Sequence, residues 1–208
     1  MKRIKIYGAG GHSKVILDLA ECLGHTITKV FDDFPEHTYL SNGSNLSDLS
    51  SDKENFFSDD DPMIIAIGNN QVRATLAKRI KARYEILVHP SATISQESTL
   101  GEGTVVNAGG IVQSGSTIGR HVIINTAALI DHDNKIGDFV HISPNVSLTG
   151  HVEIGEGTHI GAGASIIPMV KVGKWCTIGA GAVIIRDVPD FAVVVGNPGR
   201  IIKYNPME

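Results

Sequence analysis

The sequence predicts an α/β unit over residues 1–86 followed by an all-β parallel solenoid over residues 87–208. Two observations carry the solenoid and one carries the α/β unit. From 87 to 188 the chain divides into blocks of six whose second residue is Val, Ile or Leu in 17 of 17, from Val88 to Ile184, with no slip of frame. Four residues after the aliphatic the chain mostly places a small or β-branched residue, as at Ala92, Ser98, Thr104, Ser116, Ala128, Thr158, Ala164 and Ala182. Upstream, a strand-like run meets a glycine-rich turn and then helical spacing, the opening of a βα nucleotide-binding unit.

A period of six matches neither a helix stripe nor plain strand alternation, so it marks a repeat architecture. The residue after the aliphatic is Gly at 101, 119, 137, 155, 161, 173 and 179, and Asn or Asp at 107, 125 and 131. Those types tolerate a left-handed backbone, so the corner is expected there. Short strand, corner, short strand, with large and small side chains alternating inside, closes a triangle of three strands. Each coil then takes 18 residues and adds a layer of about 4.8 Å to a narrow prism. Seventeen blocks at three to a coil make nearly six coils.

Residues 2–7 read as a strand and 8–13 (Gly8-Ala9-Gly10-Gly11-His12-Ser13) as a glycine turn. Helical spacing runs over 14–23, a second strand over 26–31 ends in Asp32-Asp33, and 35–61 is polar with a short element near 46–49. A buried-looking strand at 63–67 ends at Gly68-Asn69-Asn70, and a helix over 71–82 leads to a strand at 85–88. This is a half-Rossmann unit, half a dinucleotide-binding domain, with room for one nucleotide. The third glycine of the dinucleotide fingerprint would fall at Ser13, so NAD is not favoured. What the turn offers is backbone N–H groups at a helix start, approached closely for want of side chains, which suit a phosphate or diphosphate. Asp32 and Asp33 leave the next strand end, placed to accept hydrogen bonds from a ribose or base.

Composition narrows the class. The chain is 42% apolar with a formal charge of −4, which argues against nucleic acid or anionic membrane as partners. The apolar run after Met1-Lys2-Arg3 is too short for a signal peptide or a membrane span, and Cys22 and Cys176 form no ligand motif. A cytoplasmic protein with reduced cysteines is expected.

The chemistry concentrates in 131–141, Asp-His-Asp-Asn-Lys-Ile-Gly-Asp-Phe-Val-His. Here the small-residue rule lapses, because Asn134 takes a slot usually given to Ala, Ser, Thr or Val, and lapses in a consistent pattern tend to fall at functional sites. A neutral imidazole oriented by a carboxylate takes a proton from an amine or hydroxyl, which makes His132 the expected base and Asp133 its orienter. One coil on from His132 is Gly150, whose bare backbone N–H suits an oxyanion; the same step places His159 over His141. After the solenoid, Pro189 and Pro198 break the coils, and Arg186, Arg200 and Lys203 either meet coenzyme phosphates or are ordinary surface charges.

The hexad repeat resembles the left-handed β-helix of hexapeptide acyltransferases. Together with G-A-G-G-H-S at 8–13, F-D-D at 31–33, A-I-G-N-N at 66–70, H-P-S-A at 89–92, D-H-D-N at 131–134 with His141, and G-N-P-G-R-I at 196–201, it is similar to bacterial N-acetyltransferases of nucleotide-linked amino sugars and to sialic acid O-acetyltransferases. The family often has Pro-Ala where this chain has Pro198-Gly199. The resemblance implies a homotrimer that holds acetyl-CoA in a cleft between subunits and the nucleotide sugar on the N-terminal unit. Carried onto this chain it implies Gly8, Gly10, Gly11, His12, Asp32, Asp33, Gly68 and Asn69 for the nucleotide, and His141 near the sugar. It implies His132 as base, and Gly150, Ala162 and Ala180 as backbone for the thioester and pantetheine. Direct acetyl transfer to a 4-amino sugar is the function implied, with O-acetylation of a sialic acid or other sugar hydroxyl and a non-catalytic trimeric nucleotide-binding scaffold as alternatives. Zinc-binding relatives that resemble carbonic anhydrase pair two histidines five apart. The separations here are 11, 9, 10 and 8 from His121 to His159, so no metal is expected.

Overall fold

The computed structural model describes residues 2–34, 49–50, 57 and 59–206. The N-terminal unit comprises β1 (Arg3–Tyr7), α1 (Gly11–Cys22), β2 (Thr26–Phe31), β3 (Leu49–Ser50), β4 (Met63–Ile65) and α2 (Asn70–Arg79). Its sheet has the order β3-β2-β1-β4 and every pair is parallel. The chain winds outward from β1 through β2 to β3 and then returns to the other side of β1. The crevice where such a sheet binds ligands therefore opens between the carboxyl ends of β1 and β4, at Gly8 and Gly68. The expected element at 46–49 lies, apart from Leu49, outside the described residues; of the strand expected at 85–88 only 87–88 forms, and Tyr84, just ahead of it, makes an isolated bridge to Met63.

Seventeen two-residue strands, β5 (Leu87–Val88) through β21 (Val183–Ile184), form the solenoid, and each ends on a hexad aliphatic. They sort by threes into parallel faces: a first containing 87–88, 105–106, 123–124, 141–142, 159–160 and 177–178, a second beginning at 93–94, and a third beginning at 99–100. Inside, the aliphatics from Val106 to Ile184 and the small residues Ala128, Ala164 and Ala182 make one continuous core. Each such aliphatic contributes about 1.5–3 kcal/mol on burial. At the carboxyl end β22 (Ala192–Val195) continues the first face and β23 (Arg200–Tyr204) folds back antiparallel, capping the prism.

The corners correct one expectation. Positive φ falls three residues after the aliphatic, without a break from Gly103 to Gly181, and not on the residue that follows it. That column holds His121, Ala127, Asp133, Phe139, Asn145, His151, Met169 and Trp175 besides glycines. The glycines after the aliphatic answer a different demand. A Cβ on Gly101 would lie 2.6 Å from the backbone of Gly119, and one on Gly155 2.6 Å from that of Gly173. Stacked coils approach too closely there for any side chain. Asn107 and Asn125 hold the equivalent hexad position on a different edge, after strands of the first face, and form a ladder there, the amide of the first donating to Asn125 Oδ1 at 3.1 Å.

The two units share a core. Ile16, Leu19 and Ala20 of α1 pack with Ile4 and Ile6 of the sheet and with Leu87, Val105 and Ile123, the outward residues of the first face. On the other side of the sheet, Arg73 of α2 is 1% exposed. Its guanidinium donates to the carbonyls of Ile67, Gly68, His121 and Phe139 and to Asn70 Oδ1, at 2.8–3.2 Å. Asn70 in turn donates to the carbonyls of Gly157 and Thr158 at 3.0 and 3.3 Å. Burial lowers the Arg73 pKa to about 9, which leaves the group charged at neutral pH and satisfied by carbonyl dipoles. Orphaning a buried acceptor costs about 1–3 kcal/mol. Arg73→Met is therefore expected to destabilise the protein by at least about 2 kcal/mol, read as a lower urea midpoint; an unchanged midpoint would show that water replaces the guanidinium at no cost.

Candidate active site

His132 sits on the corner between the second and third faces. Asp131 Oδ1 accepts from the His132 amide at 2.8 Å, and His132 Nδ1 lies 2.8 Å from Asp133 Oδ2. The two neighbours meet because Asp133 has φ +57°, which turns its side chain back along the corner. Asn134, fully buried, explains the lapse in the repeat. Its amide donates to the carbonyls of Asp131, His132 and Thr149 at 2.8–3.1 Å, clamping the corner to the coil above. The hydrogen bond to Asp133 raises the His132 pKa, and the same bond holds the Asp133 carboxyl below the usual range.

Gly150 lies against this imidazole, as the 18-residue step implies. A Cβ there would be 2.6 Å from His132 Cε1 and Nε2, so only glycine lets the ring occupy its place. Nδ1 faces the carboxylate and Nε2 faces Gly150, the polarity a base needs if the reacting carbonyl is to sit beside both. Gly150 is itself buried, and among the described residues no acceptor takes its N–H.

A second constellation lies under the glycine turn. Gly8 has φ +113° and a Cβ there would meet Ile67 Cγ1 at 2.9 Å, whereas Gly10 and Gly11 face open space. Gly10 caps α1 without a side-chain bond, so the helix start is free of its own side chains. Asp32 turns inward, accepting from the amides of Ala9 at 2.6 Å and Phe34 at 2.8 Å, and so shapes the turn. Asp33 accepts from Tyr7 Oη at 2.7 Å and pairs loosely with Arg79 at 3.8 Å. Both carboxylates line a cavity of about 330 Å³ with Phe34, Gln71 and Thr75. Asn69, expected at the nucleotide, caps α2 by accepting from the Val72 amide at 3.0 Å.

His12, at the start of α1, has its ring 6.4 Å from that of His141, which stacks on His159 at 4.9 Å. Asn125 Nδ2 lies 3.2 Å from His141 Nε2 while Asn125 Oδ1 is taken by Asn107 and Thr126. An amide nitrogen only donates, so His141 Nε2 accepts and its proton is on Nδ1; the Gly68 backbone also hydrogen-bonds the ring. Burial, with Arg73 nearby, pushes His12 down to about 4. Burial, then His159 and Arg73, pushes His141 to about 3. His121, by contrast, is core: it stacks on Phe139 at 5.3 Å and meets Tyr84 edge-on at 4.4 Å.

These pieces do not converge within one chain. The N-terminal unit covers the first face, while the corner of His132 lies between the second and third, on the opposite edge of the prism. Ala162 and Ala180 stack on the exposed edge between the first and second faces, the Gly181 amide donating to Ala162 at 2.8 Å, away from His132. Arg73 and Asn70 were not singled out by sequence, and neither was His151. The 18-residue step would have found the last: it lies over Asp133, with Nε2 3.6 Å from Asp133 Oδ2.

Residues 3–80 match the PglD N-terminal domain, and 133–168 and 151–186 match the bacterial transferase hexapeptide family (six repeats). The chain is 32% identical to perosamine N-acetyltransferase PerB of Caulobacter crescentus, a structure with CoA and GDP-perosamine, over 98% of both chains with a TM-score of 0.90. The chain belongs to the hexapeptide-repeat sugar N-acetyltransferases. It is 37% identical to the acetyltransferase domain of PglB from Neisseria gonorrhoeae, solved with acetyl coenzyme A, over 97% of this chain and 99% of that one, with a TM-score of 0.87. UDP-N-acetylbacillosamine N-acetyltransferase of Bacillus subtilis is 41% identical over an alignment of 118 residues that covers 52% of this chain and 52% of that protein. The left-handed β-helix of this acetyltransferase family is the fold observed.

Two titration outcomes follow from the rings. By NMR, His12 and His141 are expected to stay neutral from pH 8 down to about 5, while His132 titrates above the ordinary imidazole value of about 6.5. The unfolded chain takes up protons near that ordinary value and the folded one does not until about 4 and 3, so stability is full above it and falls as pH drops below it. A urea midpoint that stays level from pH 7.5 to 5 would mean the rings are solvated.

Proposed function

We propose that the protein is an acetyl-CoA-dependent N-acetyltransferase acting on the 4-amino group of a nucleoside-diphosphate-linked amino sugar, as a cytoplasmic homotrimer with each active site between two subunits. Family membership supports the reaction class. The observation that carries the assembly is the placement of the nucleotide crevice and His132 on opposite sides of the prism, since a sugar held on one chain reaches only another chain's base.

In this reading residues 1–86 hold the nucleotide sugar. The diphosphate lies over Gly10 and Gly11 at the start of α1, bounded by Gly8, Gly68, Asn69 and His12, and the nucleoside occupies the cavity of Asp32 and Asp33. Residues 87–208 hold acetyl-CoA, with the pantetheine along Ala162 and Ala180 of one subunit and the thioester at Gly150 of its neighbour. Neutral His141 hydrogen-bonds the sugar. The 4-amine attacks the thioester carbonyl, His132 Nε2 accepts the amine proton, and the Gly150 N–H holds the oxyanion. The intermediate collapses with cleavage of the C–S bond, and the proton passes from His132 to the departing thiolate. Asp133 keeps the proton of the resting ring on Nδ1 and stabilises the imidazolium.

The test is free thiol released from acetyl-CoA with a panel of nucleotide amino sugars and sialic acids. Release with a 4-amino sugar is expected, and His132→Ala should lower kcat by about 10²–10⁴ with little change in KM. Release only with a sialic acid would move the reading to O-acetylation. Mixed oligomers test the shared site: His132→Ala and Gly10→Glu, each inactive alone, should regain turnover when denatured and refolded together. No recovery would place both halves of the site on one chain.

A further inference from the structure

We propose that His132, Asp133 and His151 bind a divalent transition ion such as Zn²⁺, and that the bound ion switches acetyl transfer off reversibly. The switch rests on His132 being the base; the site itself does not. His132 Nδ1 and His151 Nε2 lie 2.8 and 3.6 Å from the same Asp133 oxygen, and the three ligand atoms are all within 4.8 Å of one another. Tetrahedral zinc with bonds of about 2.0–2.1 Å places its ligand atoms roughly 3.3 Å apart. Closing the site requires one contact to widen and the others to tighten, by rotation of side chains that are half exposed. Asp133 and His151 stand 18 residues apart on successive left-handed corners, where the solenoid backbone fixes their spacing. The His132 and His151 rings are 5.2 Å apart and edge-on. Two imidazoles and one carboxylate, with water in the fourth position, select zinc-like ions over magnesium or calcium.

The consequence for the reaction is a change of tautomer. A neutral imidazole that ligates through Nδ1 carries its one proton on Nε2. That nitrogen faces Gly150 and must be bare to accept the proton of the amine. The ion thus moves the ring proton from Nδ1 to Nε2 and removes the acceptor, while the nucleotide crevice and the alanine edge stay open.

The experiment uses the untagged full chain, with Co²⁺ as a spectroscopic probe and Zn²⁺ titrated into the thiol-release assay. Wild type should show the visible absorption of tetrahedral cobalt and lose turnover with zinc, and a chelator should restore it. His151→Asn should keep metal-free turnover and lose the cobalt absorption. Its zinc midpoint should rise at least tenfold, since changes outside the ligand shell alone cost about 10–100-fold in affinity. Equal zinc midpoints in the two proteins, or cobalt absorption that survives His151→Asn, would overturn the site. Cobalt absorption that depends on both histidines, with turnover unaffected by saturating zinc, would overturn the switch and point at the role of His132 instead.

Discussion

Parallel pairing of each coil on the one before it, in a fixed register of 18 residues, is the constraint on which the rest of the solenoid depends. The register pairs Ile123 with His141 and His141 with His159 on the first face. It turns sequence separation into vertical distance, so a residue and its counterpart 18 further on are neighbours whatever lies between. His132 with Gly150 and Asp133 with His151 are products of that one rule. Because the strands contain two residues each, little but the corners remains free to vary, and the hydrogen-bonded cluster of Asp131, His132, Asp133 and Asn134 occupies one of them.

The same constraint explains what could be read in advance. Strand positions, the interior alternation and the meeting of His132 with Gly150 follow from the period, since the period and the contact are one fact seen twice. The corner backbone was misjudged because glycine answers two demands, a positive φ and a close approach. At Gly101 and Gly155 the close approach is the operative one. A column that includes Phe139 and Trp175 at positive φ shows that stacking can impose a left-handed backbone on bulky side chains.

Arg73 and Asn70 were beyond sequence reading for a different reason. Nothing local signals that a helical arginine will be buried against the carbonyls of His121 and Phe139, 48 and 66 residues away. Contacts between the units obey no period, so they carry no pattern. Asp32 and Asn69 show the converse: both stand at the crevice, and in this structure their side chains bond the backbone of the turn and of α2.

The left-handed corner at Asp133 sets two demands on one residue in opposition. The preceding coil carries Gly115 in the same column, at φ +72°, without steric penalty, whereas Asp133 holds φ +57° with a Cβ. Glycine there would relieve roughly 1 kcal/mol of backbone strain and remove the carboxylate that orients His132. Where Asp133 orients the base as proposed, turnover holds aspartate at a position where backbone strain by itself favours glycine. The corner therefore marks a point where the protein is less robust than its scaffold allows, and a stabilised descendant could keep every strand and still lose the contact between Asp133 and His132.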